Sequence, residues 1–403
     1  MDDQGNGHHH KSFMVETTAI DAFLGDTLRA VRAGESAPWP PAPDSAWTSR
    51  EELTAVWERI EFHGISVLLH HHAARLANWP EKMLARIAEE ARLIGLWEAT
   101  HHNALSKLID GFAQAGIETV LMKGTAVAYS LYEEPAARRR GDSDLLVRPR
   151  DLERARELLS SSGWYRNDDP VGVTFQEGWR CDVAGHFTHF LDLHWEPSDR
   201  PVLQRLLTCD DFFAHPQPLP RLAENAMRAD HALSLVHETL NQKWHHVHGY
   251  YAEQGKVVGS RRLIWSLDFT LIAQALAPAD WDRVCTFCES RKIGPLVAEA
   301  LRGAASDLSA PLPEAVLVRL EAQPLDPAVA AYFEASDDFG EFWHNLRGAR
   351  SWRDRATLVL DRSFPPRSHL LAKYPDHAHW PTPLLQARSL VGTAGRALKR
   401  VLR

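Results

Sequence analysis

Residues 117–147 limit the fold of this chain more than any other stretch. They open with an apolar run over residues 117–122, which is typical of a buried strand. The chain then turns at Lys123-Gly124-Thr125 and enters an apolar, alanine-rich segment over residues 126–132, which predicts a helix. Asp142-Ser143-Asp144 then leads into a second apolar run. A strand–turn–helix–strand unit of this kind predicts a mixed core, in which a small sheet packs against helices.

The turn and the acidic run have complementary charges. The glycine lets backbone N–H groups approach an anion, the helix N-terminus adds partial positive charge, and Lys123 adds a full one. In a strand, residues two apart share a face, so Asp142 and Asp144 are expected side by side. Adjacent carboxylates raise each other's pKa unless a cation lies between them, and Mg²⁺ prefers oxygen ligands. This combination suits a nucleoside triphosphate bound together with a divalent ion.

A further strand is predicted at residues 187–195, where the sequence FTHFLDLHW alternates. Phe190, Asp192 and His194 share one face of such a strand, because successive side chains point to opposite sides. Core packing gives no reason for an acidic side chain between an aromatic residue and a histidine on that face. Asp192 is therefore a candidate site residue.

The composition excludes several classes of protein. The 403 residues allow two or three packed units with a large core. The net charge of −8 argues against a protein that grips nucleic acid with its whole surface. The four cysteines do not resemble a disulfide framework at this length, so we expect a reducing compartment.

Two further observations predict a cytoplasmic location. No apolar run reaches the roughly 18 residues needed to cross a bilayer, so we expect no membrane span. The N-terminal sequence MDDQGNGHHHKSF is polar and acidic at its start, unlike a signal peptide. The cytoplasm is also where nucleoside triphosphates are found.

Taken in order, these motifs resemble the signature of the polymerase-β-like nucleotidyltransferase superfamily. Asp-x-Asp alone is a weak signal, but the ordered set is specific. More narrowly, the chain is similar to the uncharacterised bacterial nucleotidyltransferase family of that superfamily, and the resemblance covers most of the chain. The residues that carry it are Lys123-Gly124-Thr125, the loop with Arg138, and the segments 116–118, 141–147, 192–195, 262–268 and 280–281.

The resemblance implies an enzyme that uses Mg²⁺ or Mn²⁺ to transfer a nucleoside monophosphate to a hydroxyl group. The donor would be ATP, giving AMP, or another nucleoside triphosphate. In the two-metal mechanism, ions about 3.5–4 Å apart hold the attacking and leaving oxygens in line. The sequence does not identify the acceptor, since a small molecule, a peptide, a protein or the end of a tRNA fits the same core.

The resemblance also assigns roles to individual residues. The implied catalytic and metal-binding residues are Asp142, Asp144 and Asp192; the nucleotide-binding residues are Lys123, Gly124, Thr125, Arg138 and Asp268; and the candidate substrate contacts are His194 and Arg262. For His194, Arg262 and Asp268, a structural role is the alternative.

The fold implied is α+β, with a polymerase-β-like core and small mixed sheet flanked by N-terminal and C-terminal helical domains. Composition and periodicity, together with the resemblance, divide the chain into five parts. They are an N-terminal tail with a proline-rich linker (1–48), an N-terminal helical region (49–116), the core that the resemblance identifies as the nucleotidyltransferase unit (117–200), a helical domain (201–305), and a C-terminal helical extension (306–403). The resemblance implies that the helical domain 201–305 closes over substrate and nucleotide.

Three other interpretations belong to different functional classes. A catalytically inactive scaffold of the same fold would bind a nucleotide or a protein partner, but it would have no use for clustered acids. A zinc enzyme is suggested by 22 histidines and by Cys285-x-x-Cys288, yet the sequence has no second cysteine pair. A general nucleic-acid polymerase is disfavoured by the acidic balance and by the lack of a basic, aromatic-rich groove signal.

Overall fold

The structure is a computed structural model that describes residues 6–40, 47–167, 174–183, 187–252, 255–257, 259, 261–335, 338–365, 367, 370–371, 374–377 and 379–390. A mixed sheet lies among many helices, and the α+β class predicted from the sequence is confirmed. Parts of the predicted proline-rich linker and of the C-terminal extension, at residues 41–46 and 391–403, lie outside the described residues.

The elements follow one another in an order that alternates helices and strands only in the middle of the chain. The strands are β1 (Thr119–Met122), β2 (Asp142–Val147), β3 (Tyr165–Arg166), β4 (Gln176–Val183), β5 (Phe187–His194), β6 (Gln217–Pro218), β7 (Met227–Arg228), β8 (Tyr250–Ala252) and β9 (Gly255–Val257). The helices are α1 (Asn6–Arg32), α2 (Arg50–His63), α3 (Ser66–His71), α4 (Glu81–Gln114), α5 (Lys123–Leu131), α6 (Leu152–Ser161), α7 (Pro201–Gln204), α8 (Cys209–Ala214), α9 (His231–His248), α10 (Leu263–Ala275), α11 (Pro278–Arg291), α12 (Gly294–Leu308), α13 (Glu314–Glu321), α14 (Pro327–Glu334), α15 (Asp338–Gly348) and α16 (Trp352–Ser363).

The larger sheet has its strands in the order β3-β4-β5-β2-β1-β7-β6. Antiparallel pairing joins β1 to β2 and β4 to β5, whereas parallel pairing joins β2 to β5. The two strands predicted from residues 117–147 are therefore central, and they are buried along almost their whole length. Their short apolar runs suit strands that are covered on both faces.

The pairing of β2 with β5 sets the positions of the acidic residues. Asp144 stands opposite Asp192, and Asp142 stands opposite Phe190. Since side chains alternate along a strand, Asp142, Asp144 and Asp192 project from one face of the sheet. On the neighbouring strand β4, Gly178 is opposite Asp192, and a Cβ added to it would lie 3.8 Å from Asp192 Oδ1.

The opposite face of the same strands builds a separate core. Leu145 and Val147 of β2, together with Leu191 and Leu193 of β5, are fully buried in a cluster with side chains of α4 and α6. One face of β2 and β5 is therefore apolar packing, while the other presents the acids. The helices α9 to α12 belong to a second core, which also contains Leu146.

Strand β4 was not predicted, although it forms extensive pairing with β5. Its sequence, QEGWRCDV, contains a glycine and three charged residues, which lower the signal for a strand. Glu177 on β4 is nevertheless buried, because Arg156 and Arg166 approach its carboxylate to 2.8 and 3.0 Å. These ion pairs make a buried charge tolerable in a strand that hydrophobic patterning alone cannot identify.

The described part of the predicted N-terminal tail and linker packs against the core of the protein. Helix α1 runs from Asn6 to Arg32, within the predicted tail. Its Leu24 and Leu28 are fully buried, and Trp39 is buried in a cluster of aromatic rings, 5.0 Å from Trp79 between ring centroids. The large apolar area of tryptophan explains why the described part of the predicted linker joins the core. The boundaries of the five predicted parts stay a prediction.

The helices after the sheet form a shell beside the acidic face. Helix α9 begins at the N-cap Asp230, whose Oδ1 accepts a hydrogen bond from the backbone N–H of Leu233 at 2.9 Å. It contacts α10, α11 and α12. Among the described residues, no helix combines the length and the apolar character needed to cross a bilayer.

Candidate active site

The predicted acidic residues lie together at one edge of a cavity. Single carboxylate oxygens of Asp144 and Asp192 and a ring nitrogen of His194 all lie within 4.8 Å of one another. Asp142 precedes them on the same face, and it lines the cavity together with Asp192. Parallel pairing of β2 and β5 thus brings side chains 48 or more residues apart in sequence to one place.

Several carboxylate oxygens in this cluster accept no hydrogen bond from the part of the chain that the structure describes. Asp144 accepts both of its hydrogen bonds at Oδ1, from Lys123 Nζ at 2.5 Å and His194 Nε2 at 3.0 Å. Asp192 accepts one from Gln176 Nε2, at 3.1 Å on Oδ2. Within the described residues, both oxygens of Asp142, Oδ2 of Asp144 and Oδ1 of Asp192 accept none. Such a concentration of negative, unpaired oxygens favours a cation between them.

The acids differ in how easily they ionise. Loss of surrounding solvent, and then the charges of Asp144 and Asp192, raise the pKa of Asp142 to about 7, although this residue lies at the exposed start of β2. Burial and the charge of Asp144 also raise the pKa of Asp192. Burial alone would raise the pKa of Asp144, but Lys123 and His194 outweigh it and hold that pKa well below its ordinary value. Asp144 is therefore the carboxylate that stays ionised.

Lys123 connects β1 to α5 in a backbone conformation that is uncommon for lysine. Its φ of 49° lies in the left-handed region, which costs a non-glycine residue about 1 kcal/mol or more. Burial alone would lower the pKa of Lys123, but the charge of Asp144 and their hydrogen bond raise it above its ordinary value. Lys123 is therefore a charged ammonium that faces the acids.

His194 was a candidate substrate contact, but its side chain contacts Asp144. Its side chain is buried, and its Nε2 donates to Asp144 Oδ1. Nδ1 is buried and has no hydrogen-bond partner among the described residues, so a proton placed there would lose its hydrogen bonds to water. This favours the tautomer with the proton on Nε2. The position of His194 therefore favours a role in holding Asp144 over a substrate contact or a direct metal ligand.

The cavity beside the acids has a volume of about 210 Å³ and opens to solvent. One wall carries Lys123, Asp142, Gln176 and Asp192 of the sheet unit. The facing wall consists of the segment after β5 and of helices α7 and α9. Its side chains are Pro197, Ser198, Asp199, Arg200, Leu203, Leu207, His237, Leu240, Asn241, Trp244 and His245.

Arg138 and Asp268, both predicted to bind nucleotide, pair with each other instead of lining the cavity. The guanidinium of Arg138 lies 2.8 Å from Asp268 Oδ2, and both side chains are buried. The hydroxyl of Tyr132 donates to Asp268 Oδ1 at 2.8 Å. This buried group ties the loop before β2 to α10. Its position favours a structural role for Arg138 and Asp268 over contact with phosphate or base.

Thr125 also points away from the cavity. It is buried, and its Oγ1 lies 2.7 Å from the hydroxyl oxygen of Ser143. Ser143 is in turn 2.8 Å from Nε2 of His101 on α4. Because Ser143 lies between Asp142 and Asp144, it must face the other side of the sheet. The hydroxyl of Thr125 therefore contacts β2 on the face opposite the acids. This position does not favour its predicted contact with phosphate.

Gly124 and Arg262 complete the set of predicted residues. A Cβ added to Gly124 would lie 3.4 Å from the Arg138 guanidinium, so the absence of a side chain lets Arg138 pass beside α5. Arg262 precedes α10, and its Nε donates to the carbonyl oxygen of Phe62 at 2.5 Å. Arg262 does not line the cavity described above, so its position does not favour a substrate contact there.

The facing wall holds candidate site residues that the sequence did not single out. His237, Asn241 and His245 lie four residues apart on α9 and share a helical face, which is a signal visible in the sequence. Burial, followed by the charge of Lys123, lowers the pKa of His237 to about 3 and that of His245 to about 4. Both histidines are therefore neutral near pH 7. Gln176 carried no signal, because it lies on the unpredicted strand β4.

The donor set at the acids fits a hard divalent cation. The oxygens without donors belong to three carboxylates on two adjacent strands, and Mg²⁺ and Mn²⁺ are bound by carboxylate oxygens together with water and phosphate. Cys285 and Cys288, by contrast, are buried in α11 within the second core. Their place in an apolar core argues against the zinc interpretation.

Comparison with known proteins agrees with the resemblance seen in the sequence. A family model described as uncharacterised nucleotidyltransferase matches residues 49–309, which include all the acids, Lys123 and the cavity wall of α9. A search of curated proteins gave no match. Because the family match covers more than half of the chain, the chain belongs to this nucleotidyltransferase family and is an enzyme of that kind.

Proposed function

We propose that this enzyme transfers a nucleoside monophosphate, AMP from ATP, to a hydroxyl group of an acceptor, with Mg²⁺ or Mn²⁺ bound at the acids. The main support is the in-register pair of Asp144 and Asp192. Asp142 and Asp192 line the cavity, and Asp144 is buried next to them. Clustered carboxylates without partners cost stability in a folded protein, and a binding role for a cation accounts for them.

In this proposal Asp142, Asp144 and Asp192 hold the divalent ions. The ions, when bound, neutralise charge on the phosphates and lower the pKa of the attacking hydroxyl. Asp144 would be the strongest of these ligands, since it stays ionised and, within the described residues, its Oδ2 accepts no hydrogen bond. Asp192 lies beside it and can also accept the proton of the acceptor hydroxyl, because its pKa is raised by burial and by Asp144.

The phosphates would lie at the beginning of α5. The partial positive charge of a helix N-terminus and the ammonium of Lys123 both favour an anion there. The side chains implied for this role at Thr125, Arg138 and Asp268 are engaged elsewhere. Binding of phosphate would therefore rest on Lys123 and on backbone N–H groups near Gly124.

The wall across from the acids is the proposed place for the acceptor or the base. Leu203, Leu207 and Leu240 make it partly apolar, and Asn241 adds an amide with both donors and an acceptor. Closing such a wall over the phosphates excludes water, which would otherwise compete with the acceptor hydroxyl. A cytoplasmic location, where ATP is available, stays a prediction.

The proposal is tested by supplying each α-labelled nucleoside triphosphate with Mg²⁺ and cell extract. The wild type is expected to transfer label to one acceptor class, which electrophoresis and chromatography separate into protein, RNA or small molecule. The double variant Asp142→Asn/Asp144→Asn is expected to transfer none, and chelation of the metal should also abolish transfer. Equal labelling by the double variant would reject the proposal. Tight binding of ATP without release of pyrophosphate in any extract would identify an inactive scaffold instead.

His194 is expected to act on the metal site through Asp144. His194→Ala should lower the affinity for Mn²⁺, measured in the presence of a non-hydrolysable ATP analogue, by about 10- to 100-fold, because partners that orient a ligand have effects of this size. His194→Gln should retain much of the affinity, since its amide can also donate to Asp144 Oδ1. His189→Gln is the matched control, because His189 is buried on the opposite face of β5. Unchanged Mn²⁺ affinity in His194→Ala would contradict the assignment.

A further inference from the structure

Lys123 is held at the acids by its backbone. It directly follows Met122, which pairs with Asp144 across β1 and β2, and it is the first residue of α5. A lysine with a left-handed φ is strained, and strain of this kind persists only where surrounding structure enforces it. The fold therefore fixes the Cα of Lys123 beside β2. Its flexible four-carbon side chain allows the ammonium to reach more than one nearby acceptor.

The ammonium already takes the place of a cation in the cluster. Its Nζ lies 2.5 Å from Asp144 Oδ1, and the negative charges of Asp192 and Asp142 add to the attraction. An ammonium can donate three hydrogen bonds, and in the described part of the chain Lys123 makes this one. About a fifth of the side chain is exposed, and it lines the cavity. Two donor positions are therefore left for an incoming acceptor.

We propose that Lys123 exchanges partners during substrate binding, leaving Asp144 for the phosphates of the nucleotide as the divalent ion arrives, so that ion and nucleotide bind cooperatively. This inference rests on the proposed function and adds a coupling between two of its components. Without nucleotide, Lys123 competes with the ion for the acids. With nucleotide, the same ammonium becomes a phosphate ligand.

The need for exchange follows from charge. A divalent ion bound at the open oxygens of Asp142, Asp144 and Asp192 would lie close to the ammonium, and two cations repel each other. Asp144 Oδ1 also has His194 as a second donor, so it keeps a hydrogen bond after Lys123 leaves. The phosphates bring the negative charge that replaces Asp144 as the partner of the ammonium. By thermodynamic linkage, nucleotide and ion then raise each other's affinity by the same factor.

The exchange predicts opposite effects of one substitution. In Lys123→Met, Mn²⁺ alone should bind at least about fivefold tighter than in the wild type, because the competing cation is gone. The gain in Mn²⁺ affinity caused by the α,β-methylene analogue of ATP should fall by at least about fivefold, the lower end of typical coupling between sites. Electron paramagnetic resonance of free Mn²⁺ measures both quantities directly.

The matched control is Lys243→Met. Lys243 also pairs with a carboxylate, that of Glu299 at 2.6 Å, but it lies outside the cavity, so both Mn²⁺ affinities should stay as in the wild type. Circular dichroism tests whether each variant is folded. If Lys123→Met does not fold, Lys123→Gln takes its place.

Three results would separate the alternatives. Mn²⁺ binding alone that is no tighter in Lys123→Met would show that Lys123 does not compete for the acids. If Lys123→Met binds Mn²⁺ more tightly than the wild type by the same factor with and without the analogue, Lys123 stays on Asp144. Each of these two results would overturn the exchange. Equal binding of Mn²⁺ and analogue by the wild type and by Asp142→Asn/Asp144→Asn would instead overturn the proposed function, whatever Lys123 does.

Discussion

Asp142→Asn and Asp192→Asn are each expected to lower nucleotidyl transfer by about a hundredfold to a thousandfold, the range seen when a preorganised charge-stabilising group is removed. Asparagine keeps the volume of aspartate but loses the negative charge that, in the proposed function, holds the ion. The effect is measured as initial rates of label transfer at saturating Mg²⁺ and nucleotide.

The same two variants should not lose stability. Burial, and then repulsion among the clustered carboxylates, raises the pKa of both residues, which means that their ionised forms are disfavoured by the fold. Removal of either charge should therefore leave the melting temperature unchanged or raise it. Asp182→Asn is the matched control on β4, because its carboxylate accepts a hydrogen bond from Thr188 Oγ1 at 2.6 Å, outside the cluster. A fall in stability that parallels the fall in activity would contradict the assignment.

Arg138→Met is expected to lower the free energy of unfolding by about 3–5 kcal/mol, because it leaves Asp268 buried without its ionic partner. Both side chains are buried and their pairing distance is 2.8 Å, so solvent screens the interaction little. The shift is measured by denaturant-induced unfolding near pH 7.

A double variant separates this structural role from nucleotide binding. Arg138→Met/Asp268→Asn removes the unpaired charge while the asparagine can still accept the hydrogen bond of Tyr132, so it should recover on the order of 1–3 kcal/mol relative to Arg138→Met. If Arg138→Met kept full stability and only raised the KM for nucleotide, the role implied by the family resemblance would be the correct one.

The features visible in the sequence are those encoded in local patterns. The strand that carries Asp142 and Asp144 ends with the apolar run that follows them, and the strand of Asp192 differs from its prediction by one residue. In both, alternation alone decides which face carries the acids. The family resemblance then supplied the expectation that they meet, and the parallel pairing of β2 with β5 brings Asp144 and Asp192 together.

The features missed by the sequence depend on partners far along the chain. Arg138 and Asp268 are separated by 130 residues, and nothing in either motif indicates that they neutralise each other in the core. Buried Glu177 makes β4 resemble a loop, because its arginine partners come from other elements. The left-handed backbone of Lys123 is also hidden, since the adjacent glycine is the residue expected to adopt it.

The separation between Asp144 and Asp192 is determined by backbone hydrogen bonds and not by any loop. A longer loop on either side of these strands would leave the two acids opposite each other. Deletion of one residue inside β5 would instead move Asp192 to the other face of the sheet and bring a leucine to the cavity. Helices α7 and α9, which supply the other wall, are free of that constraint. Under the proposed function, changes in those helices would alter the acceptor that binds, while the acids on the sheet would keep their positions.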